Sequence, residues 1–255
     1  MLPSQTLSGK ACLVTGASRT LGAEIARGFA RCGASVAVNY YESADAAEAL
    51  CKELQALGVR ALSVRANVAD PDQAARLVAE AWEGLGGLDV VVNNVGPWTG
   101  APLAALPVSE FERIMAGNLT SAFVVAREAG VRMKQRGGGH IINISATDAF
   151  ERGRSVYGLA KDAVLHLTEA LAIELAPEVR VNAIAPGLIA DNEDMGPILA
   201  RRELARTPLG RLVTRAEIAQ VACLLCTDPF ASVTGQTIAM DGGARIPHSS
   251  VPHGV

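Results

Sequence analysis

Short apolar runs alternate with longer helical patterns along almost the whole chain of 255 residues. The short runs are rich in β-branched residues and apolar throughout, which is typical of parallel strands covered on both faces. Alternation of this kind predicts right-handed crossovers between neighbouring strands. We therefore predict an α/β fold: a doubly wound parallel sheet of about seven strands with helices on both faces, in a single domain over residues 1–255.

The boundaries of these elements follow from the apolar runs and from the residues that flank them. The predicted strands are Ala11–Thr15, Ser35–Asn39, Ala61–Ala66, Asp89–Val92, His140–Ser145, Val179–Ile184 and Thr237–Met240. The predicted helices are Leu21–Cys32, Ala44–Leu57, Asp72–Glu83, Ser109–Gln135, Ser155–Leu175 and Arg215–Cys226. Asp70-Pro71 and Thr214 have the residue types of helix N-termini. A sheet of this kind binds ligands beyond the carboxyl ends of its strands, so residues that follow a strand are the candidate site.

Charge and hydropathy exclude several classes of partner. A formal net charge of -3 gives no reason to expect nucleic acid or an anionic membrane as partner. No apolar run approaches the roughly 20 residues that cross a bilayer. The segment Met1–Lys10 has no charged leader followed by an apolar stretch, as a secretory signal would. We expect a soluble cytoplasmic protein that acts on a small molecule.

The cysteines and histidines do not predict a metal or disulfide site. Five cysteines are an odd number for a disulfide framework. Cys223 and Cys226 form a CxxC within an apolar helix end, where we expect buried thiols rather than redox or metal chemistry. The four histidines lack metal-ligand spacing with acidic or thiol partners.

A loop of small residues joins the first predicted strand to the first helix. Small residues let the backbone approach a diphosphate, and the helix N-terminus offers free N–H groups at the positive end of its dipole. In this strand–loop–helix context we predict a dinucleotide-binding loop rather than a plain turn. The predicted contacts in this loop are Gly16, Ser18, Arg19, Thr20, Leu21 and Gly22.

The residues at the end of the second predicted strand indicate whether NAD or NADP is preferred. NAD-preferring Rossmann proteins place an acidic residue there, whereas this chain has Asn39-Tyr40-Tyr41. No carboxylate would repel a 2′-phosphate at these positions, and Arg19 is placed to attract one. Tyr41 and Glu42 count against this, because neither adds a second basic residue here. We predict that NADP(H) is preferred over NAD(H), with Asn39 and Tyr40 among its contacts.

Tyr157 and Lys161 stand four positions apart just past the fifth predicted strand. This spacing puts both side chains on one face of a helix. A free Tyr has a pKa of about 10 and exchanges protons poorly at neutral pH. A neighbouring ammonium favours the phenolate and lowers that pKa towards the working range. We predict that Tyr157 is a general acid–base assisted by Lys161, rather than one of an exposed pair without function.

Three motifs together carry a family resemblance. The Gly16–Gly22 loop, NNVG at Asn93–Gly96 and YGLAK at Tyr157–Lys161 resemble those of the short-chain dehydrogenase/reductase family, and the resemblance covers nearly the whole chain. Within that family the chain is similar to β-ketoacyl carrier-protein reductases. Thr20 departs from the pattern, because the family usually has its middle glycine there, and a Cβ narrows the approach to the phosphates.

The resemblance implies further roles. Asn118 would hold a water in a proton relay that starts at Tyr157, and Lys161 would bind the nicotinamide ribose. Asp241-Gly242-Gly243 would lie near a subunit contact, which implies a homotetramer or dimer. The remaining implied cofactor contacts, besides Tyr157 and Lys161 themselves, are Asn67, Val68, Asn94, Gly96, Pro186, Gly187 and Ile189.

The family's substrate-binding serine has no clear counterpart. Ser145 is the candidate, but matching through the strand puts the family's serine on Ala146, and the following loop is shorter. A shift of one residue along a strand turns a side chain to the opposite face. Thr147 and Asp148 are the alternatives. Asp191 occupies a place where relatives often carry a Thr, and the charged segment Ile189–Thr207 has the pattern of a lid.

The substrate remains open between three hypotheses. The first is reduction of a small ketone or a 3-oxoacyl group. The second is pterin reduction, because pteridine reductases also lack the middle glycine and stack the pterin on an aromatic residue where this chain has Trp98. Their Arg at the position of Thr20 and their carboxylate at the position of Ala146 are missing here. The third is a nucleotide-binding regulator with weak catalysis.

Overall fold

One parallel sheet of seven strands organises the chain, with the strand order β3-β2-β1-β4-β5-β6-β7. The computed structural model describes residues 5–151, 153, 155–190, 192 and 196–246. The strands are β1 Ala11–Val14, β2 Ser35–Tyr40, β3 Ala61–Arg65, β4 Val90–Asn93, β5 Gly139–Ile144, β6 Val179–Pro186 and β7 Thr237–Met240. The predicted fold class is confirmed, and each predicted strand is present within two residues of its expected ends.

Helices cover both faces of the sheet and enclose two hydrophobic cores. The helices are α1 Thr20–Arg31, α2 Ala44–Ala56, α3 Pro71–Leu85, α4 Val108–Met115, α5 Ser121–Arg136, α6 Val156–Leu175, α7 Pro197–Arg206 and α8 Arg215–Leu224. On one face α1, α2 and α8 pack around Phe29 and Ile218. On the other face α3, α5 and α6 pack around Leu77 and Met133. In the part of the chain that the structure describes, no helix has the length and apolarity of a membrane span.

Local hydrogen bonds explain two of the predicted helix starts. The carboxylate of Asp70 accepts from the backbone N–H groups of Asp72 and Gln73, and Pro71 occupies the first helical position. Thr214 and Glu217 form a reciprocal capping box at the start of α8. Cys223 of α8 is buried in the hydrophobic core, as predicted, and Cys226, just after this helix, is partly buried.

The helix predicted over Ser109–Gln135 is wrong in one respect, because a π-helical turn at Ala116–Thr120 separates α4 from α5. Asn118 lies in this turn, and its Nδ2 donates to the carbonyl oxygens of Ile114 at 2.9 Å and Pro97 at 2.8 Å. The Asn118 side chain thus engages a helix carbonyl and the loop after β4 together. Such turns are frequent at functional sites, and this one lies beside the predicted site.

The strand order reverses between β1 and β4, which creates the crevice where such sheets bind ligands. The loops after these two strands are joined directly, since Asn94 Nδ2 donates to the carbonyl of Thr15 at 3.0 Å. The backbone N–H of Asn94 also donates to Thr15 Oγ1 at 2.9 Å. The two loops therefore form one rigid floor at the carboxyl end of the sheet.

Candidate active site

A cleft of about 870 Å³ opens along the carboxyl ends of the strands. It is lined by residues that follow six of the seven strands, together with residues from α4 and α6. The predicted site residues that line it are Gly16, Ser18, Arg19, Thr20, Leu21, Tyr40, Asn67, Asn94, Gly96, Ser145, Tyr157, Lys161, Pro186, Gly187 and Ile189. The predicted residues that do not line it are Gly22, Asn39, Val68, Trp98 and Asn118.

The glycine loop has the close packing that its composition predicts. Gly16 has a φ of +59°, in the left-handed region that favours glycine. Gly22 lies against the loop backbone, where a β-carbon would collide with the Gly16 carbonyl and come within 2.7 Å of Asn94 Nδ2. No side chain caps the start of α1, so its first N–H groups remain available to a ligand. Gly22 therefore allows the close packing of the Gly16–Gly22 loop, here called the cradle, although it does not itself line the cleft.

Thr20 adopts a left-handed backbone conformation with a φ of +50°. A β-branched residue in this region is a genuine outlier, because its side chain crowds the backbone. The loop thus keeps the conformation that a glycine would adopt freely, although Thr stands there. Thr20 is exposed and lines the cleft.

Asn39 is a structural residue near the end of β2, behind the wall of the cleft. It is fully buried, and its Oδ1 accepts from the backbone N–H of Gly16 at 3.0 Å. Its Nδ2 donates to the carbonyl oxygens of Val64 and Ala66 at 3.3 and 3.1 Å. We expected Asn39 to contact a cofactor, but its amide instead ties the Gly16 loop to the end of β3. Val68, also expected as a contact, lies in the core under α3.

Lys161 is only 3% exposed on α6. Its Nζ donates to the carbonyl oxygen of Ile144 at 2.8 Å and lies 5.6 Å from the centre of the Tyr157 ring. Burial lowers the pKa of Lys161 to about 8, because the ammonium has lost water and has gained no carboxylate partner. The predicted pair is therefore on one helix face, with the ammonium beneath the phenol.

Asn118 and Lys161 meet beneath Gly96. Asn118 Oδ1 is buried and has no hydrogen-bond partner in the described part of the chain. A β-carbon at Gly96 would lie 2.7 Å from this oxygen and 2.7 Å from Lys161 Nζ. A buried, unsatisfied acceptor is costly, so its position next to a donor marks a place for a polar ligand atom or a water.

The phenol of Tyr157 differs from the sequence-based expectation. Its pKa is raised well above the ordinary value of about 10, first by burial and then by the carboxylate of Asp148. We expected Lys161 to lower this pKa. The difference has a physical reason, because both groups lose water in the same pocket and Asp148 adds negative charge on the outer side. The protein alone therefore holds Tyr157 in its protonated form.

Ser145 directs its hydroxyl into the protein. Its Oγ donates to the backbone carbonyl of Lys161 at 2.9 Å, and the residue is 3% exposed. The next position along the cleft wall is Ala146, which has no polar group. Thr147 brings its Oγ1 to 3.8 Å from where a β-carbon on Gly187 would lie. Burial and Glu151 raise the pKa of the Asp148 carboxyl.

Trp98 does not stack over the cleft in this structure. Its indole is 64% exposed and packs beside Gly100, where a β-carbon would lie 3.0 Å from the ring. Asp191, Asp194 and Met195, which the sequence places in the segment after β6, lie outside the described residues.

Arg113 is a cleft residue that the sequence motifs did not predict. It lines the cleft from α4 and pairs with both carboxylate oxygens of Glu110. In the sequence it is only a basic residue slightly more than one helical turn before Asn118. No motif includes it. Its guanidinium is therefore a cation at the cleft whose charge Glu110 already balances.

The comparisons with known proteins agree on one family. A family model described as enoyl-(acyl carrier protein) reductase matches residues 16–245. The 3-oxoacyl-(acyl-carrier-protein) reductase FabG of Staphylococcus aureus is 36% identical over 239 residues, which cover 92% of this chain and 97% of that protein. L-rhamnose 1-dehydrogenase (NAD(P)(+)) of a Sphingomonas species is 38% identical over 248 residues, covering 94% of this chain and 98% of that protein.

A solved structure extends this similarity to three dimensions. A blue fluorescent protein from a metagenomic library, crystallised in complex with NADPH, is 36% identical and has a TM-score of 0.88. The match covers 94% of this chain and 100% of that chain. With the family model, the relatives and the shared fold in agreement, the chain belongs to the short-chain dehydrogenase/reductase family of oxidoreductases.

Proposed function

We propose that this protein is an NADPH-dependent reductase that transfers hydride to the carbonyl of a small ketone or 3-oxoacyl substrate. The observation that carries the proposal is that Tyr157 and Lys161 line the same cleft as the loop that starts at Gly16, with the unsatisfied Asn118 Oδ1 next to Lys161 beneath Gly96. A proton donor beside a dinucleotide site is what carbonyl reduction requires.

The residues present fit a dinucleotide. Gly22 and Gly96 stand where a β-carbon would collide with neighbouring atoms, and the uncapped start of α1 suits a diphosphate. Arg19 lines the cleft, is exposed and makes no ion pair with any described residue. No carboxylate stands at the end of β2, which supports NADP(H) over NAD(H). The rhamnose dehydrogenase named above accepts both cofactors by its name, so this preference needs direct measurement.

The chain's own residues would manage the proton. A bound reduced nicotinamide supplies the hydride. Tyr157 holds a proton at its phenolic oxygen and donates it to the carbonyl oxygen as negative charge develops there. Lys161, held by the carbonyl of Ile144, stabilises the phenolate left behind. Asn118 Oδ1 would hold a water that relays protons between Lys161 and solvent.

The substrate oxygen needs a second hydrogen-bond donor. Ser145 donates to the Lys161 carbonyl, so we propose that it positions α6 beneath the reacting groups. Thr147, whose Oγ1 lies 3.8 Å from where a β-carbon on Gly187 would lie, is the group we propose to hold the substrate oxygen. The raised pKa of Asp148 supports a donor role for that residue only in its protonated form.

We also propose that the protein self-associates, as a tetramer or dimer, in the cytoplasm. The outer face of α5 and α6 supports this, since Phe123, Val131 and Ile173 are exposed, the last to 83%. All five cysteines are free thiols, which suits a reducing compartment. Light scattering on the wild type and on Ile173→Glu tests the assembly, because a charge on this face should lower the oligomeric mass.

The activity is tested by following NADPH oxidation with three substrate groups: small diketones, 3-oxoacyl thioesters and dihydropterins. Turnover of either carbonyl group and not of the pterins is the expected result. Preference for dihydropterins would instead support stacking on Trp98. Measurable NADPH binding without turnover of any of them would favour a regulator and contradict the proposal.

A further inference from the structure

Next to the end of the cleft that would hold the adenosine lies a cation, Arg65, that comes neither from the glycine loop nor from the end of β2. It does not itself line the cleft, but it contacts Tyr41, which does. Arg65 is the last residue of β3, and it pairs with Tyr40 in the parallel register of β2 and β3. Because both strands end at this edge, Arg65 lies beside the residues that follow β2. These residues, Tyr41, Glu42 and Ser43, line the cleft.

Arg65 is fastened to Tyr41 in two ways. Its Nε donates to the carbonyl oxygen of Tyr41 at 3.2 Å, and its guanidinium carbon lies 5.8 Å from the centre of the Tyr41 ring. A guanidinium over an aromatic face is attracted by the ring and held in orientation. Its two terminal nitrogens have no partner among the described residues. Arg65 is exposed, so these donors remain available to a ligand.

The charges around this edge also matter. Glu42 is the only carboxylate among the described residues that line the cleft. A 2′-phosphate beside it would be repelled by Glu42 and attracted by Arg19. Arg113, Lys161 and Arg215 also line the cleft, but they come from α4, α6 and α8, whereas Arg65 is held directly against Tyr41, next to Glu42 in the chain. An Arg is suited to this role because its fork of donors matches phosphate oxygens.

We propose that Arg65 is a specificity-determining residue that binds the 2′-phosphate of NADP(H) together with Arg19. The inference rests on the proposed NADP(H) preference and names a second source for it. Arg65 holds Tyr41 as a wall of the pocket and turns its terminal nitrogens to the phosphate. The second basic residue that related proteins carry after β2 is supplied here from the neighbouring strand.

Binding titrations by calorimetry test this without reliance on turnover. The wild type, Arg65→Gln, Arg65→Lys and Arg19→Gln are titrated with NADPH, NADH, 2′,5′-ADP and 5′-AMP, and Arg31→Gln on the far end of α1 is the matched control. We expect Arg65→Gln to weaken NADPH and 2′,5′-ADP by about 10-fold or more, as for loss of a charged hydrogen bond. NADH and 5′-AMP should change by less than about twofold, and Arg65→Lys should be intermediate.

The outcomes separate this inference from the cofactor proposal. Equal weakening of NADPH and NADH in Arg65→Gln, or no weakening of either, overturns the role of Arg65. If only Arg19→Gln loses the preference for NADPH, this inference fails while the cofactor proposal stands. If the wild type binds NADPH no more tightly than NADH, both fail together.

Discussion

Asn118 Oδ1 and Lys161 Nζ converge on Gly96, where a β-carbon would lie 2.7 Å from each. The absence of a side chain at Gly96 therefore keeps open the space that joins the two polar groups. Gly96 has no left-handed φ, so a substitution there meets a steric rather than a conformational obstacle.

Gly96→Ala should lower kcat by about 10-fold or more, because the methyl group displaces one polar partner of the proposed proton relay. The measurement is kcat for carbonyl reduction, together with the melting temperature to show that the fold persists. Gly153→Ala is the matched control, since none of the described residues has an atom within 4 Å of its β-carbon position. Unchanged kcat in a folded Gly96→Ala protein would argue against the relay.

Tyr157→Phe should lower kcat by about 100-fold or more while the Kd for NADPH stays within error, because only the phenolic oxygen is lost. Steady-state kinetics and a binding titration check the two halves of this statement. Retention of near-full activity would contradict the assignment of Tyr157 as the proton donor.

Thr20→Gly should raise the free energy of unfolding by up to about 1 kcal/mol. The gain comes from releasing a β-branched residue from a φ of +50°, and the greater freedom of glycine in the unfolded chain offsets part of it. Thr20→Ala is the control, because it keeps the β-carbon in the same strained region and should gain less. Urea denaturation measures both, and equal effects of the two variants would exclude backbone strain as the cause.

The sheet and the cradle were predictable because their signals are local. Continuous apolar runs mark β1 to β7, and the small residues around Gly16 follow directly on a strand. The π-helical turn at Asn118 was not predictable in this way. In this turn Asn118 donates to the carbonyl of Pro97, which lies far from it in sequence, and such a contact leaves no local signal. The helical periodicity around it shows no break.

The side-chain orientations were harder to predict than the positions. Asn39 and Ser145 occur at the predicted strand ends, but the side chain of each forms a hydrogen bond with a buried backbone group. A linear pattern does not tell which of two faces a residue at a strand end will take. Arg65 could not be predicted for a related reason, since its nearness to Tyr41 depends on the pairing of β2 with β3.

Ser145→Ala should lower the free energy of unfolding by about 1 kcal/mol and change kcat much less than Thr147→Val does. The hydroxyl of Ser145 satisfies the buried carbonyl of Lys161, and its loss leaves that oxygen without this donor. Denaturation and steady-state kinetics on both variants check this contrast. A large kcat loss in Ser145→Ala, with Thr147→Val unaffected, would return the substrate-binding role to Ser145.

The contribution of Lys161 to the stability of the protein should rise with pH between about pH 8 and about pH 10. Burial lowers its pKa from 10.5 to about 8, so above pH 8 the folded state loses a proton that the unfolded state keeps. The unfolded state then binds more protons, and the free energy of unfolding increases with pH across this window. Below pH 8 the buried ammonium lowers stability by its full desolvation cost. The raised pKa of Tyr157 has the opposite effect, because above about pH 10 the unfolded Tyr loses a proton that the folded one keeps. That effect lies above this pH window.

Lys161→Met removes the buried charge. Urea denaturation of this variant at about pH 7.5 and about pH 9.5 should therefore show only the pH response of the other titrating groups. The wild type minus Lys161→Met difference isolates the effect, and Lys52→Met serves as the matched control on the surface of α2. Relative to Lys161→Met, the wild type and Lys52→Met should gain the same stability between these two pH values, because both retain Lys161. If all three proteins respond to pH alike, the ammonium of Lys161 is not desolvated in the folded state, and its proposed role beneath the Tyr157 phenol loses its physical basis.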